Sequence, residues 1–269
     1  MSDGASLPQP PELTKDVFEA MVEKASLGIG QMVVLGVLAG IYIGFGGLFA
    51  TIVLAGADGV LPYGLAQLLA GLVFTTGLVL VVVAGAELFT GNLLMAGPVA
   101  VKSLTFSKAA AALLVVYLAN FAGSVLLAGV VVAANVHLAE DGAIGRVAAD
   151  IASTKTSHSF SAALASGVLA NILVCLAVWI SYSATSTTDK VAAILLPIAA
   201  FVAAGLEHSV ANMYLLSYAW MVQPASLAAA AEISLIDIAG NLVPATIGNI
   251  IGGAGVAFAY SLAYCRRAE

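Results

Sequence analysis

The chain has 269 residues, of which 61% are hydrophobic and 9% charged, and its mean hydropathy is +1.06. A soluble domain carries about 25% charged residues, so 9 Lys plus Arg and 15 Asp plus Glu are too few to cover a water-facing surface of this size. That excludes an ordinary soluble enzyme and a disordered chain, and a net charge of −6 leaves no basic patch for a nucleic acid. Cys175 lies in an apolar run and Cys265 near the C-terminus, which makes neither a disulfide framework nor a metal site.

Residues 1–12 carry Asp3, Pro8, Pro10, Pro11 and Glu12 ahead of any apolar run, unlike the basic start and short apolar core of a signal peptide. From Leu13, the apolar residues Val17, Phe18, Met21, Val22 and Ala25 recur at helical spacing between Lys15, Asp16, Glu19, Glu23 and Lys24. This pattern predicts an amphipathic helix lying on the membrane surface. Long apolar stretches follow near 27–55, 62–84 (continuing to 101), 109–134, 159–183, 191–222 and 233–264, and a spanning helix needs roughly 20 residues. Six spans put both termini on one side. Lys15, Lys24, Lys102, Lys108, Lys190, Arg266 and Arg267 fall at the termini or in the even-numbered loops, against Arg146 and Lys155 in the others. The positive-inside rule then makes both termini cytoplasmic. The expected organisation is an N-terminal segment over 1–26, one pore domain over 27–264 and a short tail over 265–269.

The first span contains Gly36-Val37-Leu38-Ala39-Gly40-Ile41 and the fourth Gly167-Val168-Leu169-Ala170-Asn171-Ile172. Gly85-Ala86-Glu87-Leu88-Phe89-Thr90-Gly91-Asn92 in the second matches Gly205-Leu206-Glu207-His208-Ser209-Val210-Ala211-Asn212 in the fifth. Asn120-Phe121-Ala122-Gly123 in the third matches Asn249-Ile250-Ile251-Gly252 in the sixth. These matches keep one order at separations of 120 to 131 residues. Three spans per half make this a 3+3 inverted repeat. The fold class expected is an all-α membrane protein with six transmembrane helices, the second and fifth broken.

The two G-x-E-x-x-x-x-N segments are the most polar parts of those spans, and a bare charge there costs about 2.5–3.5 kcal/mol or more. Gly85, Gly91 and Pro98 predict an interruption of the second span over 85–98. Broken backbone is tolerated only against protein or a water-filled path, so paired breaks mark a substrate pathway. Glu87 and Glu207, with Asn92 and Asn212, read as support for the breaks, the carboxylates accepting from freed N–H groups; a proton relay is the alternative. His208 at mid-span reads as a pathway residue, because it titrates near neutral pH, and Thr90 offers a hydroxyl across the same path. Lys155, just before the fourth span, reads as an anion attractor or a solvated loop lysine. His137 and His158 read as solvated loop residues. Phe74, Leu78, Leu88, Phe89, Val174 and Phe201 are bulky apolar candidates for packing or for constrictions that exclude ions by dewetting. No His/Cys/Asp grouping supplies a metal or cofactor site, so neither an enzyme nor a cofactor is expected.

The segments 86–92, 207–213, 171–179 and 241–253, the last reading Asn241-Leu242-Val243-Pro244-Ala245-Thr246-Ile247-Gly248-Asn249-Ile250-Ile251-Gly252-Gly253, resemble those of the formate/nitrite transporter family, nearest its formate channel branch. The resemblance runs from about residue 15 to the C-terminus. It implies an aquaporin-like fold, a ring of five identical protomers with one pore each, and residence in a bacterial-type inner membrane. It places the central histidine on His208, the break-loop threonine on Thr90, the vestibule lysine on Lys155 and the pore asparagines on Asn171 and Asn249. It places the constrictions on Leu78, Leu88, Phe89, Val174 and Phe201. The paired Asn-Pro-Ala motifs of water channels are absent from the sequence. The implied function is passive or proton-coupled passage of formate or a similar monovalent anion, protonated near His208 before it crosses as a neutral acid. Nitrite, hydrosulfide, acetate and lactate are the rival substrates, and a water or glycerol channel is the rival class.

Overall fold

The computed structural model describes residues 7–223 and 232–265; Asp3, Arg266 and Arg267 lie outside the described residues. The described chain is helical throughout. Helix α1 (Pro10–Lys24) is followed by α2 (Ile29–Leu54) and α3 (Tyr63–Ala84). Two short helices, α4 (Phe89–Asn92) and α5 (Ala96–Ala100), flank a 3-10 turn at Leu93–Met95 and lead to α6 (Phe106–Ala133). Then come α7 (Ala139–Thr156), α8 (Phe160–Ser181), α9 (Thr187–Ala203), α10 (Ser209–Val222) and α11 (Leu235–Tyr264). Among the described residues, α2, α3, α6, α8 and α11 are each long and apolar enough to cross a membrane. The stretch expected as a fifth span is divided into α9 and α10, of 17 and 14 residues.

Helix α1 forms where its periodicity predicts, with Pro10 in the first turn and Gln9 and Glu12 closing a capping box. Its apolar face does not meet lipid, contrary to expectation: Thr14, Val17, Phe18 and Met21 are buried against the chain. The reason is local shape. Gly97 leaves a notch that the Phe18 ring fills, and the ring meets Trp179 edge-on with centroids 6.0 Å apart.

Helix α2 packs along α6, and α8 along α11. A Cβ on Gly123 would collide with the Val37 carbonyl oxygen, and one on Gly252 with that of Val168. Backbones this close gain dispersion that larger residues forbid, the usual solution where lipid removes the hydrophobic drive between helices. The outward face of α6 presents Leu114, Leu118, Leu126 and Val130, as expected of a helix bathed in hydrocarbon.

Helices α3 and α9 both end in left-handed glycines, Gly85 at φ 81° and Gly205 at φ 65°. That conformation costs a residue with a Cβ far more than it costs glycine. From Gly85 the chain leaves helical geometry for only four residues, 85–88, before α4 begins, a shorter break than the expected 85–98. The α4–turn–α5 unit restores most backbone hydrogen bonds, which a membrane interior requires.

The Gly123 contact is testable. Gly123→Leu should force α6 off α2 at a cost of about 1–3 kcal/mol or more, seen as a lower melting temperature or loss of a monodisperse peak in detergent. Gly129→Ala, on the same helix with nothing near its added Cβ, should leave the melting temperature level or slightly higher.

Candidate functional site

Each helix ending at a left-handed glycine releases a short extended segment whose polar backbone needs partners. One asparagine serves each segment. Asn120 Nδ2 donates to the carbonyls of Gly36 (2.8 Å) and Glu87 (2.9 Å), while its Oδ1 accepts from the Phe89 N–H (2.9 Å). Asn249 Nδ2 donates to Gly167 (2.8 Å) and Glu207 (3.0 Å), and its Oδ1 accepts from the Ser209 N–H (2.8 Å). The Glu87 N–H donates to the Leu35 carbonyl and the Glu207 N–H to Ser166 Oγ. Both asparagines are fully buried.

The carboxylates do something other than expected. Neither Glu87 nor Glu207 accepts from a freed backbone N–H among the described residues, and the first amide of each new helix goes to an asparagine. Glu87 accepts from Lys24 Nζ at 2.6 Å and from Asn92 Nδ2 at 2.6 Å. Glu207 accepts from Lys155 Nζ at 3.0 Å, from Asn212 Nδ2, and from Asn241 Nδ2 at 2.9 Å. Asn92 and Asn212 therefore bond the carboxylates rather than the backbone. Each carboxylate is buried but neutralised by a lysine at a cavity wall, the condition under which a buried charge persists.

Two cavities adjoin these pairs. One, of about 330 Å³, is lined by Lys155, Glu207, His158, Asp150, Phe74 and Phe201, among others. The other, of about 230 Å³, is lined by Lys24, Lys190, Asn92, Leu88, Tyr182 and Gly85, among others. Burial pushes the Tyr182 phenol up to about 12, with Glu87 and then Glu23 adding to the rise, so it stays a neutral hydrogen-bonding group at that wall.

Buried groups occupy the level of the two segments. His208 Nε2 and Thr90 Oγ1 lie 2.8 Å apart. The Ala211 N–H donates to His208 Nδ1 at 3.1 Å. A backbone amide can only donate, so Nδ1 is an acceptor, the ring is neutral, and its proton sits on Nε2 facing Thr90. Asn171 Nδ2 donates to the carbonyls of Asn249 (2.8 Å) and Thr90 (3.2 Å), which ties α8 to α11 and α4. Phe74 and Phe201 meet edge to face at 5.4 Å, and Phe201 lies 5.7 Å from the His208 ring. Leu78, Leu88 and Val174 are buried in the same core. Phe89 is buried in that core as well, and its ring packs on Tyr117 at 4.8 Å and borders a groove with residues of α6 and α11. His137 is buried rather than solvated, and His158 stands 3.6 Å from Glu207 Oε1.

Sequence reasoning passed over Lys24 as a site residue and used Asn120 only as a repeat marker. The signal for both was available. Lys155 follows Lys24 by 131 positions, the separation of Gly36 and Gly167, and Asn120 is the partner of Asn249. The asparagines yield a sharp test: Asn120→Ala or Asn249→Ala strands two carbonyls and an N–H in a dry interior at about 1–3 kcal/mol per group. Either variant should melt well below wild type in detergent, while Thr90→Val, which strands one donor, the His208 Nε2–H, where each asparagine variant strands three groups, should melt closer to it.

Comparison with known proteins adds to this geometry. The sequence pattern of the family described as formate/nitrite transporter matches residues 11–263. The chain is 35% identical over 256 residues to the formate channel FocA of Escherichia coli (strain K12), covering 91% of this chain and 90% of that one. It is 36% identical over 268 residues to a probable formate transporter of Methanothermobacter thermautotrophicus, covering 93% and 94%. In structure it matches a pentameric formate channel with formate bound, at a TM-score of 0.82 and 37% identity, covering 88% of this chain and 98% of that one. The chain is an integral membrane protein that belongs to the formate/nitrite transporter family.

Proposed function

We propose that the chain is a channel, not an enzyme, for formate and similar small monovalent anions, working as a pentamer with one pore in each protomer. The observation that carries the reading is a pair of lysine-lined cavities separated by a buried apolar plug that holds one histidine–threonine pair. The relatives named for formate and the pentameric, formate-bound neighbour support the substrate and the ring.

In this reading α9 and α10 together make a sixth crossing, α3 to α5 make the second, and the halves enter the membrane in opposite senses. The cavity walls support it. Gly47, Ala50 and Thr51 line one cavity, and Val178, Ser181 and Tyr182, each 131 positions later, line the other. Gly85, Ala86, Gly91 and Asn92 line one, and Gly205, Leu206, Ala211 and Asn212, each 120 positions later, line its counterpart. Lys24 and Lys190 then belong to the cytoplasmic mouth, with both termini, and Lys155 to the outer mouth, in keeping with the charge bias of the loops.

The physics of passage follows. A monovalent anion is drawn to either mouth by a lysine whose own countercharge is held by two or three donors. Advancing between Phe74, Phe201, Leu78, Leu88 and Val174, it loses water, and desolvation penalises its charge, raising its proton affinity. It takes a proton and crosses as a neutral acid. His208 does not cycle through imidazolium in this reading, since a proton on Nδ1 would point at the Ala211 N–H. It acts instead as a neutral donor: Nε2–H fixes the Thr90 oxygen as an acceptor, which leaves the Thr90 hydroxyl hydrogen free to reach the passing carboxyl. The proton comes from water in the mouth.

Labelled formate uptake into proteoliposomes at pH 5.5 and 7.5 tests the reading. Wild type should take up formate faster at the lower pH, and His208→Phe should lose pH-dependent uptake by a factor of ten or more, on the order of 1.4 kcal/mol in the barrier. Unchanged, pH-dependent uptake by that variant would overturn the role of the histidine. Wild-type vesicles that swell in glycerol as fast as in formate, independently of pH, would point to a neutral-solute channel. Competition by nitrite, hydrosulfide, acetate and lactate ranks the anions.

A further inference from the structure

The cavities match in their lysine–glutamate pairs. Of the titratable groups other than tyrosines that line only one of them, Asp150, His158 and Lys190, His158 is the one that stands beside a paired carboxylate. The linker between α7 and α8 is only Ser157, His158 and Ser159, which holds the His158 imidazole at the rim of the Lys155 mouth. His158 Nε2 lies 3.6 Å from Glu207 Oε1, the oxygen that Lys155 Nζ reaches at 3.0 Å. The other oxygen, Oε2, is taken by Asn212 and Asn241. One carboxylate oxygen thus faces two candidate cations. Lys155 is nearly buried, with 13% of its side chain exposed, whereas 36% of His158 is exposed and open to protons from water. At the Lys24 mouth the residue 131 positions before His158 is Leu27, and no histidine lines that cavity.

The charged and titratable groups facing His158 across the mouth are Lys155 and Asp150 from α7, Glu207 from the segment before α10, and the Tyr63 phenol from α3. With His158 neutral, Lys155 alone compensates Glu207, and its ammonium is engaged. With His158 protonated, two cations share one oxygen, and the mouth gains a positive charge. Histidine is the side chain whose charge ordinarily changes between about pH 5 and 8.

We propose that His158 is a positioning residue for Lys155. On protonation it takes over Glu207 Oε1 and releases the Lys155 ammonium to a small monovalent anion, so capture at this mouth strengthens as its compartment acidifies. The inference rests on the transport reading above and adds a one-sided control to it. Because the competing pair has no counterpart at the Lys24 mouth, the same acidification there lacks this effect.

The test is equilibrium exchange of labelled formate in proteoliposomes with equal pH on both faces, between pH 5.5 and 7.5, with KM referred to the formate ion. Wild type should show a KM about threefold or more lower at pH 5.5, the scale of one added charge a few ångströms from the anion in a wet vestibule. His158→Gln should flatten that profile, and His158→Lys, charged throughout, should hold the low KM at both pH values. A merely structural role would not separate the two variants in this way. His158→Gln retaining the wild-type pH profile, His158→Lys still showing a KM that falls with acid, or a flat wild-type profile would each overturn the proposal. Wild-type vesicles that exchange no formate at any pH would instead bring down the transport reading beneath it.

Discussion

A polypeptide that leaves helical geometry inside a hydrocarbon layer must find partners for every N–H and C=O it exposes. The structure meets that constraint with two asparagines. Asn120 and Asn249 each bridge three segments, drawing together a helix carbonyl, the carbonyl of a glutamate and the first N–H of a new helix. Without that bridging, the segments at 85–88 and 204–208 would either continue as helix or carry unpaid desolvation. Everything that faces the cavities hangs on this: the extended backbone aims Leu88 and His208, and the new helices start where the asparagine holds their first amide.

The glutamates occupy a second level of the same arrangement. Each is nearly or fully buried, and its charge is matched by a lysine brought in by a helix outside the spanning set, Lys24 from α1 and Lys155 from α7. A buried pair of this kind contributes little net stability, because desolvation offsets attraction. What it does is hold a positive group at a cavity wall at a fixed place. The amphipathic α1 is thereby tied to the interior twice, through Phe18 in the Gly97 notch and through Lys24 at the carboxylate.

The spanning helices were legible because a solvent of hydrocarbon imposes length and apolarity directly, so α2, α3, α6, α8 and α11 stand where the apolar runs predict. The site was legible in its membership and less so in its wiring. His208 and Thr90 were found as separate residues, and their contact is a tertiary fact that spacing does not contain. An acid beside a helix start resembles a cap, so the sequence points the carboxylates at backbone amides; the competing acceptors, Asn120 and Asn249, lie 33 and 42 residues from the glutamates they join. Phe89 shows the same limit: Leu88, in the extended segment, lines a cavity while the next ring packs on Tyr117, a contact that spacing does not contain. The surface reading of α1 failed because an apolar stripe specifies that it will be covered, and not by what.

Leu88 and His208 occupy the same place relative to their helices, each the residue immediately before the first turn. Only one of them carries a nitrogen. A histidine at the Leu88 position would put a titratable ring on the wall of the Lys24 cavity, where the chain has an apolar side chain. The natural chain keeps a single ring, whose Nδ1 accepts from its own backbone, and so divides labour between two segments of common sequence pattern: one supplies an apolar wall, the other a hydrogen bond.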